Sequence, residues 1–121
     1  MKSRKEIVQA VNQAIIKFEK EFLGRGPLEV KTYIEDDMIL VRLKGVLTDA
    51  ELQLVKNADG QRGSLVKEMR QRLIEIGRPL LDQVMKDITG MEVVSLHTDV
   101  STKTGERIIV FTFGEQFELA D

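Results

Sequence analysis

Few residue types in this chain could do chemistry. His97 is the single histidine and cysteine is absent, so neither a thiolate nucleophile nor a usual zinc site can be assembled. A serine triad would need a strained nucleophile turn of the G-x-S-x-G kind, and none occurs. His97 is therefore read as a hydrogen-bonded strand histidine at a sheet rim, and no cofactor is expected. Glu35, Asp36 and Asp37 form an acidic turn, with Asp99 at a comparable place further on. Such carboxylates could act as acid and base or hold a divalent ion. Turn formation explains them as well, because aspartate bonds to its own neighbouring backbone.

Anion binding is the other chemistry within reach. Gly60-Gln61-Arg62-Gly63-Ser64 opens a helical pattern and could offer amides and a guanidinium to an anion, although it lacks the Gly-Lys-Ser/Thr ending of a phosphate loop. The simpler reading is a glycine hinge between two helices. Arg25, Arg62 and Arg78 each adjoin a glycine at a chain junction, which makes a shared anion or metabolite pocket a candidate.

The composition narrows the partners. A net charge of −2 gives no electrostatic reason to expect nucleic acid. Lys67, Arg70 and Arg72 alternate with Glu68 and Glu75, which reads as a solvated helix face. No apolar run approaches the ~20 residues that cross a bilayer, so direct membrane insertion is not expected. Lys2, Arg4 and Lys5 are followed by Glu6 rather than by an apolar leader region. A cytoplasmic location is the expectation.

These residues must be positioned by a helix–hairpin unit that occurs twice. Leu28–Asp36 lies without gaps over Met91–Asp99, and Met38–Gly45 over Arg107–Gly114. From Ser3 to Leu23, Ile7, Val11, Ala14, Ile15, Phe18 and Phe22 recur at helical spacing, with Ser3 and Glu6 in capping-box positions and Gly24 as the stop. A two-residue turn at Asp36-Asp37 would pair Ile34 with Ile39, Thr32 with Val41 and Val30 with Leu43. Thr48 and Glu51 cap a short helix ending near Asn57. A long helix follows from about Ser64 to Ile88, with Val66, Met69, Leu73, Ile76, Leu80, Val84 and Ile88 as its stripe and a kink or break at Gly77-Arg78-Pro79.

The expected fold is two-layer α+β in one domain over residues 1–121. A four-stranded antiparallel sheet from two hairpins carries helices on one face, and a pseudo-twofold αββ repeat relates halves at about 3–45 and 64–114. Matched to the first hairpin, the second puts Met91, Val93, Ser95, His97, Ile108, Val110 and Thr112 on the core side. That leaves Val94, Leu96, Ile109, Phe111 and Phe113 as a surplus apolar face. A homodimer through this face is the first expectation, and coverage by Phe117 and Leu119 of the tail the second.

Gly24-Arg25-Gly26-Pro27, Gly45-Val46-Leu47-Thr48 with Glu51 and Leu54, Gly60 with Arg70, and Thr89-Gly90 with Val93 and Asp99 resemble the bacterial MpsC-like family over nearly the whole chain. The resemblance implies an association with a sodium-translocating, membrane-potential-generating system, and it carries over no catalytic or ligand residues. The functional expectation is a non-enzymatic accessory or regulatory protein that works through protein contacts, including contact with a membrane ion transport complex of sodium or bicarbonate type. A small anion- or metabolite-binding module is the alternative, and a metal-dependent enzyme built on the acidic turns comes third.

Overall fold

A computed structural model describes residues 2–56 and 60–120, with the backbone alone for residues 60–64. Its elements run α1 (Arg4–Leu23), β1 (Glu29–Glu35), β2 (Met38–Lys44), α2 (Asp49–Lys56), α3 (Gly60–Thr89), β3 (Val93–Val100) and β4 (Arg107–Phe113). The end expected for α2 at Asn57 lies outside the described residues. α1 starts and stops where local chemistry dictates. Ser3 Oγ accepts from the Glu6 amide at 3.1 Å, the Glu6 carboxylate accepts from the Ser3 amide, and Gly24 takes the left-handed φ of 88° that ends the helix.

The strands form one antiparallel sheet in the order β1-β2-β4-β3, so the two hairpins meet through their second strands. The first hairpin has the expected register, with Ile34 opposite Ile39 and Val30 opposite Leu43. Asp36 adopts a left-handed φ of 53° at its turn, a conformation aspartate tolerates. The carbonyls of Asp36 and Asp37 accept from the amides of Phe117 and Phe113, so this acidic turn holds the C-terminal segment.

The second hairpin is turned over relative to the expectation. Ile109, Phe111 and Phe113 are buried beneath the helices with Ile39, Val41 and Leu43. Leu96 pairs with Phe111 and packs against the same core, while Val94 is exposed. These five residues are therefore no surplus face. Two shifts of a single residue cause this. A bulge at Val93/Ser95 inserts Val94 into β3, and β2 pairs with β4 so that Ile39 meets Phe111, one step from the sequence match. A one-residue slip moves every side chain of a strand to the other face. The open face instead carries Tyr33, Leu40, Val110 and His97 in one row across all four strands. Phe117 stands edge-on to Phe113 with centroids 5.0 Å apart, and Phe117 and Leu119 close one end of the core.

α3 departs from expectation twice. It runs unbroken through Pro79. Pro79 sits on an exposed side, where water can serve the carbonyl that lost its helical donor. Its buried stripe is Val66, Arg70, Ile74, Gly77, Leu81 and Met85, one residue out of phase with the expected one. Gly77 permits the crossing with α1: a Cβ there would lie 2.5 Å from the Phe18 ring. Of the expected stripe, Val66 is buried, Leu73, Val84 and Ile88 are half-buried, and Met69, Ile76 and Leu80 face outward.

Candidate functional site

Of the three arginines proposed for an anion pocket, the two whose side chains are described are engaged with neighbouring groups. Arg25 donates to the backbone oxygens of Gly26 and Leu47, which anchors the loop after α1. Arg78 is paired with Asp82 one helical turn away at 2.9 Å. The Arg62 side chain lies outside the described residues, and its backbone is about 24 Å from that of Arg78 along continuous α3. His97 sits exposed on edge strand β3. Among the described residues no cluster of His, Cys, Asp or Glu could hold a metal ion.

The structure assembles a different charged group, deep between the helices and the sheet. Glu19 from α1, Glu51 from α2, Arg70 from α3 and Arg107 from β4 are all buried. Each falls there for a local reason. Glu19 continues the α1 stripe of Val11 and Ile15, and Arg107 continues the inward alternation of Ile109 and Phe111. Glu51 occupies the capping position of α2, accepting from the Thr48 amide at 2.8 Å while Thr48 Oγ1 accepts from the Glu51 amide. Arg70 then joins the elements. Its Nε and Nη2 grip the two Glu51 oxygens at 2.7 Å each, and Nη2 also donates to the Val46 carbonyl at 2.7 Å. This fork-to-fork pairing is the strongest geometry an arginine offers a carboxylate.

Glu19 is the contrasting member. Its nearest approach to Arg70 is 3.8 Å, and neither of its oxygens has a hydrogen-bond partner among the described residues. Burial pushes its carboxyl above the usual range, and Arg107 and Arg70 offset this only in part. Burial acts upward on Glu51 too, but the hydrogen bonds from Arg70 and Thr48 outweigh it and hold that carboxyl low. Arg107 donates to Thr98 Oγ1 at 3.0 Å, and burial lowers its affinity for a proton. Arg70 ties α3 to α2 and to the Val46 backbone and approaches Glu19 of α1, and all four side chains of the cluster are closed off from solvent.

The accessible feature is on the outside of α3. Leu65, Met69, Ile76 and Leu80 are 57%, 45%, 69% and 44% exposed, and Leu73 between them is half-buried. At its C-terminal end the stripe enters a groove of about 300 Å³ between α1 and α3, floored by Phe18, Leu81 and Val84. A run of large side chains along one helix is more apolar surface than isolated exposed residues account for, and such patches mark association. The helical spacing singles out Met69, Leu73, Ile76 and Leu80 but assigns them to the core, and it does not single out Leu65. It missed Glu19, Arg70 and Arg107 as a group, although a charge standing in each apolar stripe was the signal.

The fold and this surface define a small α+β protein whose charged centre is buried and which exposes an apolar stripe on a helix. The chain belongs to the MpsC family, described as a Na+-translocating membrane potential-generating system, whose model matches residues 3–115. It is 41% identical to the uncharacterized protein YbcI of Bacillus subtilis over 117 residues, covering 97% of this chain and 93% of that one. It is also 23% identical to the uncharacterized protein YrhF of the same organism over 117 residues, 92% of this chain and 90% of the relative. No solved structure matches. No described helix is long and apolar enough to cross a membrane.

Proposed function

We propose that this protein is a non-enzymatic, cytoplasmic accessory or regulatory component that acts through protein–protein contacts. Its setting is a sodium-translocating, potential-generating membrane system, to which the family description points. The protein works as a homodimer that presents its remaining surface to a membrane-embedded partner. The observation that carries this reading is the exposed stripe of Leu65, Met69, Ile76 and Leu80, set beside charges that are turned inward and engaged in holding elements together. Arg25 is engaged with the Leu47 carbonyl and Arg78 with Asp82, so these two residues lend the anion-binding alternative no support.

The test is a deletion strain of the source bacterium, with sodium efflux and membrane potential measured under a sodium load. Lower efflux, restored by the wild-type chain and not by an Ile76→Lys chain of equal abundance, is the expected result. Unchanged efflux and potential in the deletion strain overturn the reading.

A further inference from the structure

We infer that the charged cluster binds one buried water molecule, which accepts from Arg70 and Arg107 and donates to both oxygens of Glu19. The site lies apart from the outward stripe of α3 and does not depend on the association proposed above. Four leftover atoms define it. Arg70 commits Nε and Nη2 to Glu51 and Val46, which leaves Nη1. Arg107 gives Nη1 to Thr98, which leaves Nε. Both Glu19 oxygens remain as well. Two N–H donors and two carboxylate acceptors are thus unmatched among the described residues, on side chains no more than 2% exposed. Buried polar atoms nearly always have partners, and a charged group without them is costly.

These atoms are near one another without bonding directly. Arg70 Nη1 is 3.8 Å from Glu19 Oε1, too long for a hydrogen bond and within the span that one water bridges. Arg107 bears on the same carboxylate, and its pull against the raised Glu19 carboxyl exceeds that of Arg70. Attraction falls with separation, so the Arg107 guanidinium stands at a comparable distance. The chemistry then selects water over an ion. An anion would face the two Glu19 oxygens, and a cation would face two guanidinium groups. Two arginines already match two glutamates, so the cluster needs no further charge. A molecule that accepts twice and donates twice uses all four atoms, and water does so. It would join α1, α3 and β4 at one shared point.

A high-resolution crystal structure of the whole chain, with and without a bromide soak, tests the site. The expected result is a density peak about 2.6–3.2 Å from the Glu19 oxygens, Arg70 Nη1 and Arg107 Nε, with no bromide signal. Direct bonds from Glu19 to both arginines, with no peak between them, overturn the inference. So does a bromide peak at the site, or a peak at about 2.4 Å from the Glu19 oxygens, the distance of a bound cation. Oxygen-17 magnetic relaxation dispersion gives the reading in solution. A chain of 121 residues holds on the order of four internal waters, so the readout is a difference between two chains. Glu19→Met with Arg107→Met removes opposite charges together and should hold about one long-lived water fewer than the wild type. Circular dichroism establishes that the double variant is folded. Equal counts in two folded chains overturn the inference, and if the variant fails to fold the wild-type density decides alone.

Discussion

α3 carries two neighbouring stripes, and their positions reverse what their compositions suggest. The inward stripe contains an arginine and a glycine, Arg70 and Gly77, among Val66, Ile74, Leu81 and Met85. The outward stripe, Leu65, Met69, Leu73, Ile76 and Leu80, holds only large apolar side chains. What is buried was decided by the neighbouring elements. Glu51 and the Val46 carbonyl accept from Nε and Nη2 of Arg70, and the Phe18 ring occupies the space that a side chain at Gly77 would fill. An apolar residue can be placed on either side of a helix, whereas a buried arginine has only the place where its partners are.

Removing the arginine should break the difference between the stripes most severely. Arg70→Met leaves the Glu51 and Glu19 carboxylates buried without their main counter-charge, and the expected loss is about 3–5 kcal/mol in urea unfolding. Gly77→Ala comes next. Alanine in place of glycine ordinarily favours a helix interior by about 0.5–1 kcal/mol. Here the added Cβ would meet the Phe18 ring, so a net loss of about 1–3 kcal/mol is expected by the same measurement.

The two carboxylates around Arg70 sharpen the comparison through pH. Glu19 is held above the usual range, so its contribution to stability is present below that range and is lost as pH rises through its raised value. Glu51 is held low, so its contribution is present above the usual range and is lost as pH falls through its lowered value. Relative to wild type, Glu19→Gln should gain stability between about pH 4 and about pH 7, while Glu51→Gln should lose more at about pH 7 than in acid. Denaturant midpoints across that interval check both signs. The smallest effect is on the outward stripe, where Ile76→Ala should change the stability of the dissociated chain by no more than about 0.5 kcal/mol.

The fold was legible where signals were local. Ser3 with Glu6, Thr48 with Glu51, Gly24, and the paired alternation about Asp36-Asp37 each specify an element from a few adjacent residues. The second hairpin was not legible, because both of its faces are apolar and the choice between them is made by the register of β4 on β2 and by the bulge at Val93/Ser95. Nor was the inward stripe of α3. Its two unusual members answer to Glu51 and Phe18, which lie on other elements, and periodicity within one helix does not report such partners. The candidate site suffered most. Met69, Leu73, Ile76 and Leu80 carry a helical period that does not say which side faces the core, and Arg25 and Arg78, chosen by their glycine neighbours, are engaged with Leu47 and Asp82.

The claim that the outward stripe exists for association is tested most directly by the mass of the chain in solution, measured by light scattering across a dilution series. The wild type should show twice the 13.7 kDa of one chain at high concentration, and Ile76→Lys should stay at the single-chain value with its circular dichroism unchanged. A wild type that remains a single chain throughout, or an Ile76→Lys variant that dimerises as well as the wild type, would contradict the account.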